Sequence, residues 1–116
     1  MKGDDLSERL LDFSIRIIKL SEALPKTAIG KHIYLQIIRS STSAGANYEE
    51  ARAAESKADF AHKISLTLKE LRETFYWLRI ITKIPLIPPE RLKEIMNETD
   101  QLCRIMGKSI LTARNK

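Results

Sequence analysis

"RSSTSAGANYEEA", residues Arg39 to Ala51, carries four hydroxyl side chains in a row (Ser40, Ser41, Thr42, Ser43), then Ala44, Gly45, Ala46 and Asn47. By composition alone it reads as a loop. It nevertheless lies between the apolar "IYLQII" and the alanine-rich, acidic "EEARAAE", both helical in character. Either it links two helices or it is the middle of one long helix that needs small side chains. Periodicity favours the long helix: Tyr34, Ile37, Ile38, Ser41, Ala44, Gly45 and Tyr48 share one face at helical spacing. Gly45 costs about 1 kcal/mol of helix propensity relative to alanine, a cost that the close approach of a neighbouring helix would offset. A loop at 40–47 would have to sit between two helical stretches without a proline.

Three further helices follow from the same logic. Leu6, Leu10, Phe13, Ile17, Leu20 and Leu24 step by four and three along one stripe, which Leu11, Ile15 and Ile18 widen. Asp5 and Glu8 have capping-box spacing, and Pro25 ends the segment. "PKTAIG" is a short connection. Ser56 with Asp59 is a second capping box, so the chain turns near Glu55 and a helix starts at Lys57. Its main stripe is Phe60, Ile64, Leu68, Leu71, Phe75 and Leu78. Leu66, Trp77, Ile80, Ile81 and Ile84 lie off that stripe, so this helix is apolar on more than one side. "IPLIPP" breaks it, and Pro88 or Pro89 opens the last helix, striped by Leu92, Ile95, Met96, Thr99, Leu102, Cys103, Met106, Ile110 and Ala113. The spacing predicts helices over about 5–24, 31–54, 57–83 and 89–113. Short connections make antiparallel neighbours the economical arrangement: an all-α, up-down-up-down four-helix bundle. The surplus apolar surface at Trp77, Ile80, Ile81 and Ile84 marks an oligomer interface.

Composition sets the bounds. At 116 residues the expectation is one domain, 1–116. With 43% hydrophobic and 30% charged residues the chain is of ordinary globular type. Few aromatics and four glycines argue against an all-β fold. No apolar run has the length of a membrane span, and "MKGDDLSERL" lacks a signal-peptide core, so no membrane is implied. A single cysteine, Cys103, fits a reducing cytoplasm. The net charge of +5 and pI of about 9.5 are compatible with a nucleic-acid partner. Residues 101–116 carry Arg104, Lys108, Arg114 and Lys116 with no acid. That tail either complements a helix C-terminus or meets phosphate.

Catalytic constellations are missing. A di-metal bundle site would need two Glu-x-x-His motifs. Only Asp59 and His62 have comparable spacing, and His32 has no acid three residues before it. Glu70 and Glu73 lie one turn apart and are better used to meet Arg39 or a hydroxyl on the second helix than for acid–base work. Cys103 falls in an apolar stripe and reads as a buried thiol. No phosphate loop, zinc spacing or nucleophile elbow is present. The chain reads as a non-enzyme without cofactor or metal. Basic residues for a nucleic-acid surface are Arg9, Arg16 and Lys19 on the first helix, Lys63, Lys69, Arg72 and Arg79 on the third, and Arg104, Lys108 and Arg114 on the fourth. Without a reading motif, such binding would rest on phosphate charge and be salt-sensitive.

The segment "LQIIRSSTSAGANYEEARAAESKADFAHKISLTLKELRETFYWLRII" resembles the four-helix-bundle proteins of the 23S rRNA intervening-sequence (S23) family. Gln36, Arg39, Ser40, Ser43, Asn47, Glu50, Ala51, Ser56, Phe60, Glu70, Glu73, Thr74, Tyr76, Trp77 and Leu78 carry the resemblance. Gly45-Ala46 departs from it, since a larger residue is expected near Ala44. The resemblance implies an antiparallel bundle that assembles into a ring, commonly a homopentamer, in the bacterial cytoplasm. It also implies kinship with the basic, pentameric accessory proteins of diversity-generating retroelements, which bind nucleic acid and a reverse transcriptase. The family supplies no catalytic residue. Under this resemblance, Arg39, Ser43, Asn47 and Glu50 on the second helix should meet Glu70 and Glu73 on the third as a polar seam. Arg39 would pair with Glu70 or Glu73. The functional expectation is RNA or DNA binding through a repeated basic surface. The alternative is a protein–protein scaffold, for example for a reverse transcriptase, without direct nucleic-acid contact.

Overall fold

The computed structural model describes residues 3–114. They form α1 (Gly3–Ser21), α2 (Ala28–Arg52), α3 (Lys57–Lys83), a short 3-10 turn (Pro89–Arg91) and α4 (Lys93–Arg114). The quoted stretch is helical throughout, in the middle of α2. The pairings across the bundle show neighbouring helices running in opposite directions. Arg52 meets Asp4 while Ser14 meets Ser41; Lys63 meets Glu50 while Thr74 meets Ser40. Thr82 reaches Met96 at the other end of the α3–α4 pair. Helices α2 and α3 pack most extensively, α3 and α4 nearly as much, and α1 meets α4 only lightly. The result is a rod of 47 × 22 × 20 Å. No helix among the described residues is long and apolar enough to cross a membrane.

The helix ends follow local chemistry. Ser56 accepts the Asp59 amide hydrogen bond at 3.0 Å, so α3 begins where the capping box places it. Several boundaries differ from the sequence expectation, among them the end of α2, at Arg52 and not Ala54. The first helix closes at Ser21, not Leu24, and Glu22, Ala23 and Leu24 continue in tight turns bonded to carbonyls three residues back. In a continued helix the Pro25 ring would strike the Ser21 carbonyl, so the disruption starts a turn before the proline. That helix is also already helical at Gly3, which puts Asp5 in its first turn and not at a cap. The second helix starts at Ala28, three residues before the expected Lys31, because Thr27 caps it by accepting from the Gly30 amide at 3.2 Å. The fourth helix does not open at Pro88 or Pro89 as expected: Pro89–Arg91 form a separate 3-10 turn, where Pro89 needs no amide partner, and α4 begins at Lys93.

All four helices supply one apolar core, including Leu10, Phe13, Ile17, Ile33, Ile37, Ile64, Leu71, Leu78, Leu102 and Met106. Seven hydroxyl residues are buried with them: Ser14, Ser21, Ser40, Ser41, Thr67, Thr74 and Thr99. Most bond to a carbonyl in the preceding turn of their own helix, as Thr67 does to Lys63 and Thr99 to Ile95. Among the described residues no buried side-chain polar atom lacks a partner, so these small polar residues let helices approach without stranding a donor. Tyr34, expected on the inner stripe of α2, faces outward at 36% exposure, and Ile33 and Ser40 take the inner face.

Candidate nucleic-acid interface

The middle of α3 carries six charged residues between Ile64 and Lys83: Lys69, Glu70, Arg72, Glu73, Arg79 and Lys83. The helix sorts them by sign. Glu70 and Glu73 turn toward α2, where Arg39 holds both: one guanidinium nitrogen donates to Glu70 at 2.9 Å, the other to Glu73. The Trp77 indole donates to the same Glu73 oxygen at 3.1 Å. Partial burial alone would raise the Glu73 carboxyl. The Arg39 and Trp77 hydrogen bonds and the charges of Arg39 and Lys69 outweigh burial and hold it below its ordinary value. Beneath this surface pair, Ser40 and Thr74 share a fully buried hydrogen bond of 2.7 Å.

Arg39, Glu70 and Glu73 thus meet between α2 and α3, above the Ser40–Thr74 bond, while Ser43 makes no bond to α3 among the described residues. Asn47 stays on its own helix, donating to the Ser43 carbonyl at 2.9 Å. Glu50 meets Lys63 further along, at 2.9 Å.

With both acids drawn toward α2, the neighbouring solvent-facing flank of α3 is left positive. Lys69, Arg72, Tyr76, Arg79 and Lys83 recur at steps of three, four, three and four, and all five are exposed. That spacing forms one continuous stripe, about 21 Å long at the helical rise. None of the four cations makes an ion pair among the described residues. Arg72 and Arg79 also line a groove of about 630 Å³ between α3 and α4, with Phe75, Asp100, Cys103 and Arg104. Tyr76 stands mid-stripe, 56% exposed, in edge contact with Trp77 (ring centres 5.5 Å apart). Burial pushes the Cys103 thiol up, which disfavours its thiolate.

The other expected basic residues divide. Arg9 is committed to structure: it clamps Glu98 through two bonds of 2.7 Å and reaches Gln101 at 2.9 Å, tying α1 to α4. Lys63 is held by Glu50, and Arg104 by Asp100 one turn away. Arg16, Lys19, Lys108 and Arg114 are exposed but are not part of the α3 stripe. Of the expected oligomer-contact residues, Ile84 is 54% exposed, while Trp77 and Ile80 are half-buried against the core. Ile81 is 1% exposed, part of the subunit's own core and out of reach of a second chain. Charge counting alone missed Lys83 and Tyr76. The 3-4 step from Lys69 was the available signal.

Fold and surface together define an all-helical bundle in which Arg39 pairs with two acids of α3 and a solvent-facing flank of that helix is cationic. Residues 5–108 match the family model of the 23S rRNA-intervening sequence protein, and the chain belongs to that family. A crystal structure of a protein of unknown function from the S23 ribosomal protein family of Bacteroides thetaiotaomicron is similar, with 34% sequence identity and a TM-score of 0.81. The match covers 90% of this chain and 97% of that one. No curated protein matches the sequence.

Proposed function

We propose that the protein is a non-catalytic, ring-forming bundle of the cytoplasm that binds RNA or DNA along the basic stripe of α3. One observation carries the reading: Arg39 draws Glu70 and Glu73 toward α2, and Lys69, Arg72, Arg79 and Lys83 stand along one line without an ion pair among the described residues. Four cations on a rigid helix match a phosphate backbone by charge and length, and such binding releases counterions. The chain carries no recognition motif with a defined reading geometry, so sequence preference should be weak. Repetition around a ring would raise the avidity of each modest stripe.

Filter binding to structured RNA at two salt concentrations tests this. The native protein should bind more weakly as salt rises. The R72E/R79E variant should lose at least about tenfold in affinity and show a shallower salt slope. Both substitutions lie on exposed positions, so the fold should survive. Equal binding by the two proteins would remove the stripe from the reading. No binding even at low salt would favour a protein-docking scaffold instead.

A further inference from the structure

We propose that the α3 stripe holds single-stranded nucleic acid, with an unpaired base stacked on Tyr76. This rests on the nucleic-acid reading above and adds the state of the strand to it. Tyr76 is the aromatic member of the stripe, with Lys69 and Arg72 before it and Arg79 and Lys83 after it. The residue is 56% exposed, and its hydroxyl makes no hydrogen bond among the described residues. Burial and hydrogen bonding therefore do not account for a tyrosine here.

The ring is nonetheless supported. Trp77 meets it edge-on at 5.5 Å with 66° between planes. Trp77 in turn is fixed by its bond to Glu73 and by an edge contact with His32 at 5.8 Å. One side of Tyr76 is thus braced and the rest stands open, between cations on both sides along the helix. In a duplex, base faces are covered by their neighbours, and an exposed ring on a convex helix would meet only backbone or groove edges. In a single strand, base faces are available, and stacking on an aromatic ring adds affinity irrespective of base identity. The cations flanking the ring along the helix would hold the phosphates on each side of the stacked nucleotide.

Fluorescence anisotropy with labelled oligouridylate, oligothymidylate and a duplex of equal length tests the inference on the native protein, Y76A, Y76F and R72E/R79E. The native protein should prefer one or both single strands to the duplex. Y76A should lose about tenfold on single strands and nothing on the duplex, whereas Y76F should bind like the native protein. Trp77 is the sole tryptophan, and its emission should change on adding single strand to the native protein and to Y76F but not to Y76A. Equal affinity of Y76A and native protein for single strands, or an equal preference for duplex, would overturn the stacking inference. In that case a loss of binding in R72E/R79E would still uphold the basic stripe. Failure of the native protein to bind any of the three probes would remove both.

Discussion

Gly30 and Gly45 both lie within α2, and their surroundings separate them. A Cβ built on Gly30 would sit 1.9 Å from the Pro25 carbonyl oxygen and 2.9 Å from its carbon. Neither atom can yield without moving the turn that brings Leu24 into the core. Gly30→Ala should therefore destabilise the protein by at least about 2 kcal/mol, within the range of backbone-incompatible substitutions. At Gly45 the nearest atoms to a new Cβ are Ser14 Oγ at 3.8 Å and Leu10 Cβ at 4.0 Å, both ordinary contacts. The subunit's own packing does not require that glycine, contrary to the offset its propensity cost suggests. Gly45→Ala should stabilise by about 0.5–1 kcal/mol. Urea denaturation of the two variants checks both signs at once. If Gly45→Ala instead proves destabilising, the residue serves a contact outside the single chain.

At the scale of elements, the joint between α2 and α3 makes a pH-dependent contribution. The Glu73 carboxyl is held below its ordinary value, so its bonds to Arg39 and Trp77 contribute fully above about pH 4.3, the unfolded value. That contribution is lost as pH falls through the lower folded value. The Arg39 side chain is 48% exposed and Glu73 29%, so solvent weakens the pair and the penalty for a stranded buried charge does not apply in full. Glu73→Gln should cost about 1 kcal/mol at neutral pH. The gap between the melting curves of variant and native protein should narrow as pH falls below the unfolded value, through the lower folded one; a constant gap through that range would exclude the carboxylate as the cause. This joint was legible because Arg39, Glu70 and Glu73 stand at helical steps on segments that a short turn makes antiparallel. The capping box at Ser56 was equally plain. The end of α1 was harder to see, because proline acts on a carbonyl four residues upstream. The functional face was only half legible. Lys69, Arg72 and Arg79 looked no different from Arg9 or Lys63 until the structure showed which cations already hold a carboxylate.

At the scale of the whole molecule, apolar side chains remain on opposite edges of the rod. Because the helices pack in chain order, the α1–α2 edge lies across the bundle from the α3–α4 edge. On the first, Leu11 is 53% and Ile15 40% exposed, beside a groove floored by Gly45 and Ala46. On α3, Ile84 is 54% exposed, with Ile80 half-buried beside it; both share a groove with Tyr76, Arg79 and Lys83, so a copy seated there would compete with a bound strand for the Lys83 end of the stripe. Two different surfaces that meet between copies make a head-to-tail contact, which closes into a ring when the rotation per subunit permits. The protein should therefore run in light scattering as a particle several times its 13.3 kDa chain mass. Ile84→Asp should shift it toward the single chain with unchanged helicity, because the side chain contributes little to the subunit core. Ile81→Asp, three residues earlier at 1% exposure, should unfold the subunit itself, since a carboxylate there has no partner and no water. Leu11→Asp tests the opposite edge in the same way. If Ile84→Asp and Leu11→Asp both leave the particle at native size, neither edge joins the copies and the head-to-tail arrangement fails. If one alone reduces it, that edge carries the contact and its mate lies elsewhere on the rod.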